Sequence, residues 1–105
     1  MKLIAAILDE RDVDNVMTAL TGQNIHLTHI SNTGGLLDSG NATLLIGVEE
    51  EHVPQVIEVI RDRAASRPSF VPYTYDSTLV SVGIAEVQVG GYLTFVLNVD
   101  HFEQV

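Results

Sequence analysis

The sequence predicts an α+β domain with a ferredoxin-like βαββαβ sandwich, in which two helices cover one face of an antiparallel sheet. Two stretches with helical apolar spacing alternate with short apolar stretches of strand type. The chain has 105 residues, 46% of them hydrophobic and 18% charged, which suits one folded domain over residues 1–105. It contains no cysteine, which excludes a disulfide framework and fits a reducing cytoplasm.

A strand and a helix are predicted first. Residues Lys2–Leu8 form a short apolar stretch without turn residues, which is typical of a buried strand. Asp9 is a candidate N-cap, and Gly22 stands where a helix commonly ends. Between them, apolar residues recur with the spacing of one helix face: Val13, Val16, Met17 and Leu20.

Two strands separated by a glycine-rich loop are predicted next. Residues 24–30 (NIHLTHI) and 42–48 (ATLLIGV) have strand patterns, and residues 31–41 (SNTGGLLDSGN) have the composition of a loop. Glycine backbone N–H groups can approach a phosphate closely, but no helix or lysine follows this loop as in a P-loop. From spacing alone, a phosphate-binding loop and a plain connection remain equally open.

A second helix and a final hairpin complete the predicted fold. Pro54 is tolerated only near a helix start, so the helix is expected to begin at about Glu50–His52. Residues Ser66–Val80 contain two prolines and are expected to be irregular. Two strand patterns, residues 86–89 and 92–99, are joined by two glycines, which predicts an extra C-terminal hairpin strand.

The predicted strands are apolar on both faces. In the first strand, Leu3, Ala5 and Ile7 alternate with side chains that are equally apolar. Two helices can cover only one face of a sheet, so we expect a second copy of the chain to cover the other. The alternative is that residues 66–80 fold back over that face.

Charge and histidine placement argue against several functions. Fourteen Asp and Glu residues against five Lys and Arg give a net charge of −9, which disfavours nucleic acid and anionic membranes as partners. No apolar run approaches the ~20 residues that span a bilayer, and the N-terminus resembles a strand rather than a signal peptide. His26 and His29 are expected on opposite strand faces and cannot hold one metal ion, so we expect no metal site. The sequence has no nucleophile-elbow pattern and no distinct pair of carboxylates, so we expect no enzymatic activity and no cofactor.

The glycine-rich loop and both ends of the chain carry motifs of a known family. Residues 33–37 (TGGLL), 39–43 (SGNAT) and 46–49 (IGVE) are similar to the block T-T-G-G-F-L-x-S-G-N-T-T-x-x-x-G-V-x-D of the PII-like cyclic di-AMP receptors. The opening MKLIAAILDERD resembles the family's M-K-L-I-x-A-I-x-x-D-x-D, and the segments EVQVGG and FVLNVDHF resemble its C-terminal motif. The resemblance covers nearly the whole chain except residues 66–85.

The resemblance implies a homotrimeric, PII-like signal-transduction protein that binds cyclic di-AMP between subunits. It would change the conformation of its loops, and thereby its contact with an unknown downstream protein, without catalysis. Carried over position by position, the family's ligand-binding residues are Asn24, His26, Thr28, Gly35, Leu36, Leu37, Asn41, Gly47, Phe95 and Gln104.

The chain departs from the family pattern at several of these positions. The family commonly has arginine where this chain has His26 and phenylalanine where it has Leu36, and Asp38 adds a negative charge to the loop. The second loop also lacks the family's Met-Gly-Gly segment. Because these changes weaken binding of a dianionic ligand, the alternative is a PII-like protein that binds another adenine nucleotide or a small anion.

Overall fold

A computed structural model describes residues 1–31, 40–76, 79–103 and 105. Its strands and helices, in chain order, are β1 (Lys2–Asp9), α1 (Glu10–Gly22), β2 (Leu27–Ser31), β3 (Asn41–Val48), α2 (Val53–Ala64), β4 (Arg67–Asp76), β5 (Leu79–Val89) and β6 (Tyr92–Asn98). A single 3₁₀ turn, Glu50–His52, leads into α2. Within the described residues, no helix is long and apolar enough to cross a membrane.

Four strands form one antiparallel sheet in the order β2-β3-β1-β6, and both helices pack on one of its faces. This α+β arrangement is of the ferredoxin-like type that the sequence predicts. The core between sheet and helices is built from the inward side chains of β1 and β3 and from one apolar face of each helix. Its largest fully buried side chains are Ile4, Leu8, Val16, Leu20, Leu44, Ile46, Val56 and Ile60.

The predicted limits of the first helix are confirmed. Asp9 is its N-cap and accepts a hydrogen bond from the backbone N–H of Arg11 at 2.9 Å. Hydrogen bonds from Arg11 hold the pKa of the Asp9 carboxyl below its usual range. The helix ends at Gly22.

The second strand begins later than residue 24, where the sequence predicts its start. The backbone N–H of Asn24 donates to the carbonyl of Thr21 at 3.0 Å, and Asn24 has a φ of 61°. Asparagine tolerates this left-handed conformation because its short polar side chain can hydrogen-bond locally. Asn24 therefore belongs to the turn that closes α1, and β2 starts only at Leu27.

The expectation that residues Ser66–Val80 are irregular is wrong, because β4 and the start of β5 lie in this segment. The two strands pair with each other in a separate two-stranded sheet, here called the ribbon. Pro68 and Pro72 lie within β4, which is compatible with proline because each strand of a two-stranded sheet has a free edge.

The predicted hairpin across the two glycines is also wrong. β5 pairs with β4, whereas β6 pairs with β1 in the main sheet. Gly90 and Gly91, with φ of 80° and 93°, turn the chain from one sheet to the other. The extra hairpin is therefore inserted between α2 and the last strand of the sandwich rather than added at the C-terminus.

The base of the ribbon is attached to the first turn of α1. Asp12 is buried and accepts hydrogen bonds from both terminal nitrogens of Arg67, Nη2 to Oδ1 at 2.8 Å and Nη1 to Oδ2 at 3.2 Å. A Cβ atom on Gly90 would lie 2.7 Å from Arg67 Nη1 and 2.9 Å from the carbonyl oxygen of Ala65. The close approach at this junction, together with the positive φ, requires glycine.

Replacing Gly90 with alanine is therefore expected to destabilise the protein by about 1–3 kcal/mol, through backbone strain and displacement of Arg67. Gly22→Ala is the matched control, because nothing lies within 4 Å of its added Cβ and helix propensity favours alanine. Urea unfolding of both variants measures the difference. An unchanged midpoint for Gly90→Ala would contradict the tight junction.

Candidate ligand-binding site

A groove of about 760 Å³ lies at one end of the main sheet, on the face turned away from the helices. Its floor is apolar and includes Leu3, Leu45 and Val99. Thr28 and His26 line one side, and the C-terminal residues His101, Phe102 and Glu103 also line the groove. The volume lies in the range of pockets that hold small organic molecules.

Strand register brings the floor residues together. Leu3 is opposite Gly47, and Thr28 is opposite Leu45. Residues directly opposite in an antiparallel pair point to the same face, and here that is the face without helices. A Cβ on Gly47 would meet only Met1 Cε, at 3.6 Å, so packing does not require glycine at this position. The absence of a side chain there keeps the backbone accessible from the groove.

A second depression, of about 410 Å³, adjoins the groove. Its lining includes Asn24, Glu49, His52 and Gln55. His26 and Gly47 line both spaces, so the His26 side chain lies on the boundary between them. Asn24 thus lies beside the groove and not in it.

The structure brings together three of the predicted site residues, His26, Thr28 and Gly47, in one groove. Asn41 pairs with Asp9 at the opposite end of β3 from Gly47, roughly 20 Å away along the strand. Phe95 lies opposite Ala5 on the same sheet face but does not line the groove. The remaining predicted positions, Gly35, Leu36, Leu37 and Gln104, lie outside the described residues.

Sequence reasoning missed the apolar floor and the C-terminal contribution to the groove. The sequence did indicate an uncovered sheet face, because the strands that contain Leu3 and Leu45 are apolar on both faces. This pattern does not distinguish a contact between subunits from a ligand site. His101 and Phe102 follow the last strand in a segment without periodicity. Only their position after β6 in the fold shows where they lie.

The described lining of the groove offers little positive charge. Among the described residues that line it there is no lysine or arginine. The amino group of Met1 lies 3.9 Å from a carboxylate oxygen of Glu49, and His101 Nε2 lies 3.7 Å from Glu103 Oε2. The described residues contain no cluster of three or more metal-ligating side chains.

Comparison with known proteins assigns the chain to a family. The model of the cyclic-di-AMP receptor family matches residues 1–105, the whole chain. The chain belongs to the cyclic-di-AMP receptor family. Its membership supports cyclic di-AMP binding in general, and it confirms the resemblance carried by the glycine-rich loop and the two ends of the chain.

A protein of known structure shares the fold of this cyclic-di-AMP receptor family member. A functionally unknown protein from Pediococcus pentosaceus ATCC 25745, determined by crystallography, is 38% identical and superposes with a TM-score of 0.78. The match covers 99% of this chain and 96% of that chain. The similarity therefore extends over the sandwich and the inserted ribbon together.

Proposed function

We propose that this protein is a cytoplasmic, PII-like receptor that binds cyclic di-AMP at the interfaces of a homotrimer, without catalytic activity. Ligand binding would change the conformation of its loops and alter the contact with a downstream protein. The observation that carries the proposal is the groove in which His26, Thr28 and Gly47 meet on an apolar floor, in a chain of the cyclic-di-AMP receptor family.

The chemistry of the groove suits a ligand with aromatic bases and phosphates. Leu3 and Leu45 offer apolar contact to the face of a base. The hydroxyl of Thr28 and an imidazole N–H of His26 can donate hydrogen bonds to phosphate oxygens. The backbone at Gly47 is open to close approach.

The uncovered sheet face supports assembly. Leu93, Phe95 and Leu97 on β6 are 56%, 49% and 51% exposed, and Leu93 and Leu97 lie opposite Ile7 and Leu3 of β1. The strands of the ribbon contact mainly each other, which favours a second copy over a segment folded back onto this face. A neighbouring copy is the simplest cover for so continuous an apolar surface.

Assembly also accounts for the predicted residues that one copy keeps apart. Asn41 lies roughly 20 Å from the groove in the same chain. In a closed ring of copies, one end of each sheet faces a different part of its neighbour. A ligand between two copies would thus meet the groove of one and the Asn41 end of the other.

The trimer is tested by placing a charge on the uncovered face. The wild-type protein is expected to sediment at three times the 11.4 kDa of the chain. Leu93→Asp should dissociate it, because a buried unpaired carboxylate costs several kcal/mol. Thr18→Asp, on an exposed position of α1, is the control and should leave the mass unchanged. A wild-type protein that sediments as a monomer would refute the trimer.

Ligand binding is tested by thermal unfolding with and without cyclic di-AMP. We expect the ligand to raise Tm, because a molecule that binds only the folded state stabilises it, by about 2.7 kcal/mol at 100 times its Kd.

His26→Gln should reduce this rise in Tm, because His26 lines the groove. His29→Gln should retain the rise, because His29 is exposed but does not line the groove. If cyclic di-AMP at saturation leaves Tm unchanged while another adenine nucleotide raises it, the protein is a PII-like receptor for that other nucleotide. No response to any of these compounds would reject the receptor proposal.

A further inference from the structure

We infer that the C-terminal segment Val99–Glu103 forms one wall of the ligand site and that the Phe102 ring is a stacking surface for one purine base of the ligand. The inference rests on the proposed function and deepens it, because Phe102 is not among the ligand-binding positions that the family motif predicts.

The segment is held in place by the main sheet. β6 pairs with β1 as far as Asn98 opposite Lys2, and the backbone N–H of Val99 then donates to the carbonyl of Met1 at 3.2 Å. This bond anchors the chain at the point where it leaves the sheet. The following residues, His101 and Phe102, line the same groove as His26 and Thr28.

Core packing does not explain the Phe102 ring. The ring is 63% exposed, while the groove floor beside it, at Leu3 and Leu45, is partly buried in the sheet. An exposed aromatic ring in a groove of this size provides a flat apolar surface. Stacking of a nucleic-acid base on such a ring contributes about 1–3 kcal/mol and tolerates any base, since every base has a π-face.

The lining around Phe102 suits a small polar aromatic molecule better than the surface of another protein copy. The Thr28 hydroxyl and the imidazoles of His26 and His101 place hydrogen-bonding groups around the apolar floor. A contact between copies would favour a continuous apolar surface, and that surface lies along β6 at Leu93 and Phe95, outside the groove.

The test measures the affinity of the full chain for cyclic di-AMP by calorimetry at pH 6, with sedimentation of the same samples. Phe102→Leu is expected to weaken binding roughly 5- to 150-fold, the equivalent of one lost stacked base. Phe70→Leu is the matched control, because Phe70 is 67% exposed on β4 and does not line the groove. Phe102→Tyr keeps the ring and should keep the affinity.

Each other outcome has a defined meaning. Wild-type affinity in Phe102→Leu would overturn the inference and leave the proposed receptor intact. A changed sedimenting mass with unchanged affinity of the assembled species would also overturn it, because the ring would then belong to a contact between copies. If the wild-type chain gives no binding to cyclic di-AMP, the proposed function fails first, and this inference with it.

Discussion

The main sheet has apolar side chains on both faces but only two helices to cover them. β1 shows the consequence most directly: Ile4, Ala6 and Leu8 are buried under the helices, while Leu3 and Ile7 on the other face remain partly exposed. A solvated antiparallel sheet normally alternates apolar and polar residues, and this one does not. The face that the helices leave uncovered carries both the groove and the surface proposed for assembly.

The position of the groove follows from strand pairing. β6 lies beside β1 at one edge of the sheet and β2 beside β3 at the other. Because the end of β6 and the start of β2 lie at the same end of the sheet, the chain segments beyond them, with His101 and His26, flank the same floor. The groove thus arises from two segments about 75 residues apart in sequence.

Local patterns predicted the parts of the fold that obey a strong periodicity. The apolar spacing of α1 and the Asp9 cap identified its limits, and the short apolar stretches of β1 and β3 identified them as strands. The ribbon was missed because Pro68 and Pro72 are typical of loops as well as of free strand edges. The two glycines after β5 are typical of a hairpin turn, but β6 pairs with β1 and not with β5.

The site was predictable only through resemblance. His26, Thr28 and Gly47 have no local pattern that distinguishes them from ordinary strand residues. Their identification depended on matching the family's motif position by position, and the groove then brought them together. The contribution of the C-terminal segment was beyond local reasoning, since the direction of residues after Asn98 depends on a hydrogen bond to the first residue of the chain.

The ribbon has a mechanical consequence. Arg67 at its start and Gly90 at its end are both hydrogen-bonded near the first turn of α1, and the rest of the ribbon makes few contacts with the sandwich. The molecule is therefore 61 Å long and has a radius of gyration of 17.6 Å. A compact chain of this length has a radius of gyration of about 13 Å. Because the two strands of the ribbon contact mainly each other, paired residues can be added to it or removed from it without a change in the core of the sandwich.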